Sequence, residues 1–336
     1  MFNVTNRLNL LIWTKQMKII LLVASFCVAS SVVANDSTGY VGTGGIEYLK
    51  NKNIAMQSED LFISKKLIQV DYQFKNLSQR DITETVLFPL PKAQNYIEHD
   101  FADVNGLVES FKVTVNGKAL KPKAHVRAFL PSNANEYNQD ENFQADVTSA
   151  LLKCGLTEQE LMLPWREEDS DNDVKVGQKI KACQNPKVQK LLSLQDSDYV
   201  RWQSQVIYSW QQTFKANTIT LVSHQYQPLV GGSVSLYPDE YNHQFCMDQN
   251  FKQGLKKAQS QNASFSALSY ILTTGANWAK PIQNFKLTIE REPNELVSFC
   301  WKGHVKKISS TQFQMAEKNF IPKQDLDVIF VHLREK

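Results

Sequence analysis

Between Leu67 and Pro91 the chain alternates. Ile68, Val70, Tyr72 and Phe74 interleave with Gln69, Asp71 and Gln73; after a polar Asn76-Leu77-Ser78-Gln79-Arg80, Ile82, Glu84, Val86 and Phe88 repeat the period until Phe88-Pro89-Leu90-Pro91 ends it. A period of two sends successive side chains to opposite faces, so this stretch is extended and has one face in a core. Two such runs around a short polar turn predict a β-hairpin. Pro89 and Pro91 end its second strand because proline cannot donate to a ladder.

The rest of the chain extends that pattern. Ile46-Glu47-Tyr48-Leu49 and Ile54-Ala55-Met56 flank Asn51-Lys52-Asn53, which predicts a further hairpin. Residues 108–115 end at Asn116-Gly117, a strong short hairpin signal, and residues 124–130 predict another strand. Residues 35–130 therefore read as an N-terminal antiparallel β portion. From Pro131 the composition changes: 132–142 is rich in Asn and acids, 145–153 is helical with Gly155 just beyond, and Thr157-Glu158-Gln159-Glu160 is a capping box. With 176–182 and 188–194 also helical, 131–198 reads as a mostly helical insertion. Residues 199–336 return to β patterning, with one helix near 249–260. The fold class is mainly β, an antiparallel β-sandwich-like body in two portions with a helical insertion; one or two β domains both fit.

The charge balance narrows the partners. The chain holds 37 Lys+Arg against 34 Asp+Glu, but Arg7, Lys15 and Lys18 precede residue 35 and no acid does, so from residue 35 onward the basic residues fall to 34 and equal the acids. No basic excess remains to neutralise phosphates, which excludes nucleic acid as a partner class. Met17-Lys18 followed by the apolar run from Ile19 to Ala29 and by Val32-Val33-Ala34 has the build of a secretory signal cut after Ala34. Met17 is an alternative start to Met1. The uncharged run is shorter than the about 20 residues that cross a bilayer, so no transmembrane segment is expected after signal removal. Bulky Phe26 before Cys27 argues against lipid attachment. The expected location is periplasmic or secreted.

In an oxidising compartment Cys154, Cys183, Cys246 and Cys300 are expected to form two disulfides. Three pairings exist, and Cys154–Cys183 with Cys246–Cys300 is favoured because each pair stays within one compositional segment. His243-x-x-Cys246 and Cys300-x-x-x-His304 also carry the ligand types of a tetrahedral zinc site, the competing use of the same residues. Asp169, Asp171 and Asp173 begin like a calcium loop, but Val174 and Ile180 stand where glycine and a bidentate glutamate are needed. Gly42-x-Gly44 lacks both the third glycine and a preceding strand, so it is no phosphate cradle. Glu59 and Asp60 in Ser58-Glu59-Asp60-Leu61-Phe62-Ile63-Ser64 read as surface carboxylates at the start of a strand. Trp278, in the turn-like Thr273-Thr274-Gly275-Ala276-Asn277-Trp278, is the candidate ligand contact, a ring that stacks on a ligand or else covers the end of the sandwich. Serine-elbow, Ser-x-x-Lys, His-Glu-x-x-His and Cys-x-x-Cys signatures are absent, and no cofactor is called for.

Several segments together resemble a bacterial family catalogued as domain of unknown function 4424: Ser58–Ser64, Tyr72-Gln73-Phe74-Lys75-Asn76, Phe88-Pro89-Leu90-Pro91, Thr273–Trp278, Val297-Ser298-Phe299-Cys300 and Asp325-Leu326-Asp327-Val328. The resemblance implies an exported protein and supplies no catalytic residues. The stretch ending in Phe-Pro-Leu-Pro is also similar to the start of a vault/inter-alpha-trypsin-inhibitor type β domain, which implies β architecture alone. The functional expectation is a non-catalytic binding or envelope-associated module whose partner is a protein or envelope component. A hydrolase acting on envelope or extracellular material, and a metal-binding protein, are the alternatives.

Overall fold

In the computed structural model, Ile68, Val70, Tyr72 and Phe74 all point into the core, as the alternation requires. The structure describes residues 36–42, 45–95, 107–132, 143–165, 170–195 and 199–334; the expected signal segment and Asp169 lie outside them. Residues 33–336 form one unit, to which everything below refers. Its first strands are β1 (Ser37–Gly42), β2 (Gly45–Leu49), β3 (Ile54–Ile63), β4 (Ile68–Asn76), β5 (Ile82–Gln94), β6 (Lys112–Val115), β7 (Lys118–Leu120), β8 (Lys123–Leu130) and β9 (Ala145–Asp146). Helices α1 (Thr148–Lys153), α2 (Glu158–Leu161), α3 (Ser170–Ala182) and α4 (Pro186–Leu192) follow. Then come β10 (Gln203–Phe214), β11 (Ile219–Tyr226), β12 (Gly231–Ser233), α5 (Pro238–Phe245), α6 (Gln249–Lys257), β13 (Phe265–Tyr270), β14 (Ile282–Glu290), β15 (Glu295–Phe299), β16 (Lys306–Lys307), β17 (Gln312–Phe320) and β18 (Leu326–His332).

The alternating runs are strands, but they do not pair with each other. β4 lies between β3 and β11, whereas β5 lies between β1 and β10, so the predicted hairpin is an arch between two sheets. Each strand has one apolar face, and seating them in opposed sheets buries both faces against each other. Buried Asn76 holds the arch: its Nδ2 donates to the carbonyls of Arg80 (2.8 Å) and Phe214 (2.9 Å), and its Oδ1 accepts from the Ser78 amide. The hairpin expected around Asn51-Lys52-Asn53 is corrected in the same way. β2 pairs with β1, β3 enters the other sheet, and Asn51 Oδ1 accepts the amides of Asn53 and Ile54 at the crossing. Asn116-Gly117 does close a hairpin, β6–β7, with both residues at positive φ.

Three sheets result among the described residues. One has six strands, ordered β2-β1-β5-β10-β8-β9; one has eight, ordered β16-β17-β14-β3-β4-β11-β6-β7; one has four, ordered β12-β13-β18-β15. β14 runs parallel to β3, and β10 and β11 are inserted among strands from before residue 131. Segments from both ends of the chain thus share the two larger sheets. A common core joins Leu61, Val70 and Leu287 of the eight-stranded sheet, Val86 and Val206 of the six-stranded sheet, and Val328 and Phe330 of the four-stranded sheet.

α1, α2 and α4 pack on β8, adding Leu151, Leu161 and Val188 to that core, and Thr157 with Glu160 forms the expected capping box. Asp171 and Asp173 sit in the first turn of α3, where acids complement the helix dipole, rather than in a loop. In the C-terminal region α6 falls where a helix is expected and α5 precedes it; Phe245, Phe251 and Leu255 from this pair pack on Phe265, Ile329 and Val331. Cys154 and Cys183 lie at an S–S distance of 2.02 Å and Cys246 and Cys300 at 2.00 Å.

Candidate binding groove and the polar cluster beneath it

The eight-stranded sheet is buried on one face and open on the other. On the open face a groove of about 740 Å³ crosses β17, β14, β3, β4, β11 and β6, with Asp60, Asp71, Gln73, Ser223, Lys286 and Lys318 in its lining. A second cleft of about 880 Å³ shares Thr114 and Ser223 with it and continues toward β7 and β8. Asp60 and Asp71 stand directly opposite each other on β3 and β4. Like charges in that relation destabilise a sheet. Lys286, opposite Asp60 on β14, forms an ion pair with it, while Gln69 Nε2 donates to Asp71 at 3.0 Å. Leu221, half exposed, adds an apolar spot among these polar groups.

Directly under the groove several inward side chains of β3, β4 and β11 are polar. Glu59, Tyr72 and His224 point into the interior, where Asp36 and Tyr270 meet them, and all five are at most 1% exposed. The hydroxyls of Tyr72 and Tyr270 lie 3.4 Å apart, and His224 Nε2 lies 3.5 Å from Asp36 Oδ2. Burial, and then the nearby Glu59 carboxylate, push Asp36 well above the usual carboxylate range. Burial pushes His224 down to about 3 and raises both tyrosines. At neutral pH His224 is therefore uncharged, and its contact with Asp36 is not an ion pair. The imidazole is boxed by Phe88, Phe111, Trp210 and Tyr72, with ring centroids 4.9, 5.3, 5.2 and 5.5 Å away. This cluster ties the N-terminal strand, the eight-stranded sheet and the four-stranded sheet together under the groove floor.

Trp278, the expected ligand contact, belongs to this interior and not to a surface. Its ring is 1% exposed, lies 4.5 Å from Phe74, and donates Nε1–H to the Asp36 carbonyl at 2.7 Å. Of the residues that carry the zinc alternative, Cys246 and Cys300 lie at disulfide distance from each other, and His243 and His304 are exposed. Glu59 is the carboxylate that sequence reasoning misplaced. It shares parity with Leu61 and Ile63, which was the available signal that it points inward.

Among the described residues the architecture is that of a mainly β protein of three sheets with two cysteine pairs and one sheet face left open. The chain belongs to the family described as domain of unknown function (DUF4424), whose model matches residues 34–329. No curated protein matches it. Among solved structures it is similar to a protein described as a candidate nutrient binding protein from Legionella pneumophila, with 14% identity and a TM-score of 0.42, covering 88% of this chain and 70% of that one. An M1 zinc metallopeptidase from Deinococcus radiodurans matches at 8% identity and a TM-score of 0.27, over 84% of this chain and 43% of the peptidase. Likenesses at these scores carry no functional argument. Among the described residues no helix is long and apolar enough to cross a membrane.

Proposed function

We propose that this is an exported binding module whose open eight-stranded sheet engages a protein or envelope component that presents a basic group. The observation that carries the reading is the Asp60–Asp71 pair on the groove floor. Two opposed acids on an exposed sheet face cost the fold stability, and such a cost is characteristic of a surface shaped for a partner. Lys286 offsets part of the charge and leaves Asp71 as the outward acid. The secretory build of residues 17–34 and the two cysteine pairs support an extracytoplasmic setting.

The test is a crosslinking capture from the native extracytoplasmic fraction with the wild-type protein and with Asp71→Lys. The reading predicts a partner captured by the wild type and lost with Asp71→Lys, while Asp71→Lys melts no lower than the wild type. Identical captures, or none from the wild type, would contradict it.

A further inference from the structure

At one end of the four-stranded sheet three side chains form a chain of contacts that the groove does not use. Glu295 on β15 and His332 on β18 are directly opposite in register, and His332 Nδ1 lies 3.1 Å from Glu295 Oε1. On the other side of β18, Ser266 pairs with Phe330, which places it diagonally across from His332, and its Oγ lies 3.4 Å from His332 Nε2. The diagonal spacing in an antiparallel pair, about 7–8 Å, is one an imidazole can bridge. Glu295 is firmly placed: its side chain is fully buried, Oε1 also accepts from Lys65, and Oε2 accepts the Glu292 amide at 3.0 Å. The strand end that carries His332 is held by its amide on the Ser264 carbonyl (3.0 Å) and by the Leu333 amide on the Asn294 carbonyl (2.8 Å).

The chemistry follows from the donors. A carboxylate can only accept, so Nδ1 of His332 carries the hydrogen toward Glu295, and in the neutral ring Nε2 is then the lone-pair nitrogen facing the Ser266 hydroxyl. That is the nucleophile, base and orienter relation of acyl-transfer enzymes, which is defined by geometry rather than by order along the chain. Burial is graded to match, with Glu295 in the interior, Ser266 at 6% exposure and the His332 side chain at 32%. Beside Ser266 the edge strand is Gly231-Gly232, and a side chain on Gly232 would collide with the Phe265 carbonyl, so this margin stays bare. Past it the chain exposes Val234 and Tyr237.

We propose that Ser266, His332 and Glu295 constitute a hydrolytic site for carboxylic esters, independent of the groove reading. Ser266 Oγ bonds to the acyl carbon as its proton passes to His332 Nε2; the bond to the leaving alkoxide breaks and that proton is returned to it. Water then attacks the acyl-serine, gives a proton to His332, and releases the acid with Ser266 restored. Glu295 is the positioning residue.

A fluorophosphonate probe, which phosphonylates an activated serine with loss of fluoride, tests this on the intact protein together with p-nitrophenyl butyrate turnover. The expected result is a probe adduct on the peptide containing Ser266, and hydrolysis that falls by about 100-fold in Ser266→Ala and in His332→Gln. Both variants should melt as the wild type does. A wild-type protein that carries no adduct on Ser266, or that hydrolyses the ester at the rate of Ser266→Ala, would overturn the proposal; the wild-type labelling needs no variant to fold.

Discussion

The indole of Trp278 donates its Nε1–H to the Asp36 carbonyl across 2.7 Å, joining the turn before β14 to the residue just before β1. The ring also packs on Phe74 and Phe214. Its contribution is therefore to stability. Trp278→Ala should cost about 3–5 kcal/mol through the cavity it leaves, and Trp278→Phe should cost less, on the order of 1–2 kcal/mol for the lost hydrogen bond. Urea unfolding measures both, and partner capture by the Phe variant should remain as in the wild type.

His224 makes the fold sensitive to acid. Burial holds it at about 3, while the unfolded chain titrates near about 6.5. The stability that comes from a neutral His224 is complete above the unfolded value and is lost as pH falls toward the folded one, since the unfolded chain takes up the proton first. Asp36 has the opposite sign: its raised pKa contributes most below the unfolded carboxylate value and declines as pH rises. His224→Phe removes the first effect alone. Between pH 7 and pH 4 the wild type should lose more stability than His224→Phe, by at most roughly 3 kcal/mol, in denaturant unfolding at each pH. Parallel losses would show that the imidazole is not held neutral.

The cysteine pairs yield a chemical prediction. Protein purified from an oxidising compartment, unfolded without reductant, should show no reactive thiol from Cys154, Cys183, Cys246 or Cys300. Cys246→Ser with Cys300→Ser should cost about 2–5 kcal/mol. Two free thiols on Cys246 and Cys300 would restore the metal alternative.

How much of this was legible depends on the range of the interaction. Period-two alternation located β4 and β5, and Asn116-Gly117 located a hairpin, because both are local signals. Pairing was not legible: an arch and a hairpin need the same apolar faces and the same polar turn, and the choice between them rests on Asn76 reaching Phe214, distant in sequence. The interior cluster was partly legible, since His224 shares parity with Val222 and Tyr226, as Glu59 does with Leu61. Ser266, His332 and Glu295 left no local trace, because strand register alone brings them together.

Whether the open sheet face meets the partner can be read by site-specific photocrosslinking. A photoreactive residue would replace Gln73, exposed in the groove on β4, or Gln211, exposed on β10 of the six-stranded sheet, in protein produced in its native host. A discrete adduct is expected from position 73, suppressed by Asp71→Lys, and none from position 211. Adducts from 211 without any from 73, or equal adducts from both, would contradict it.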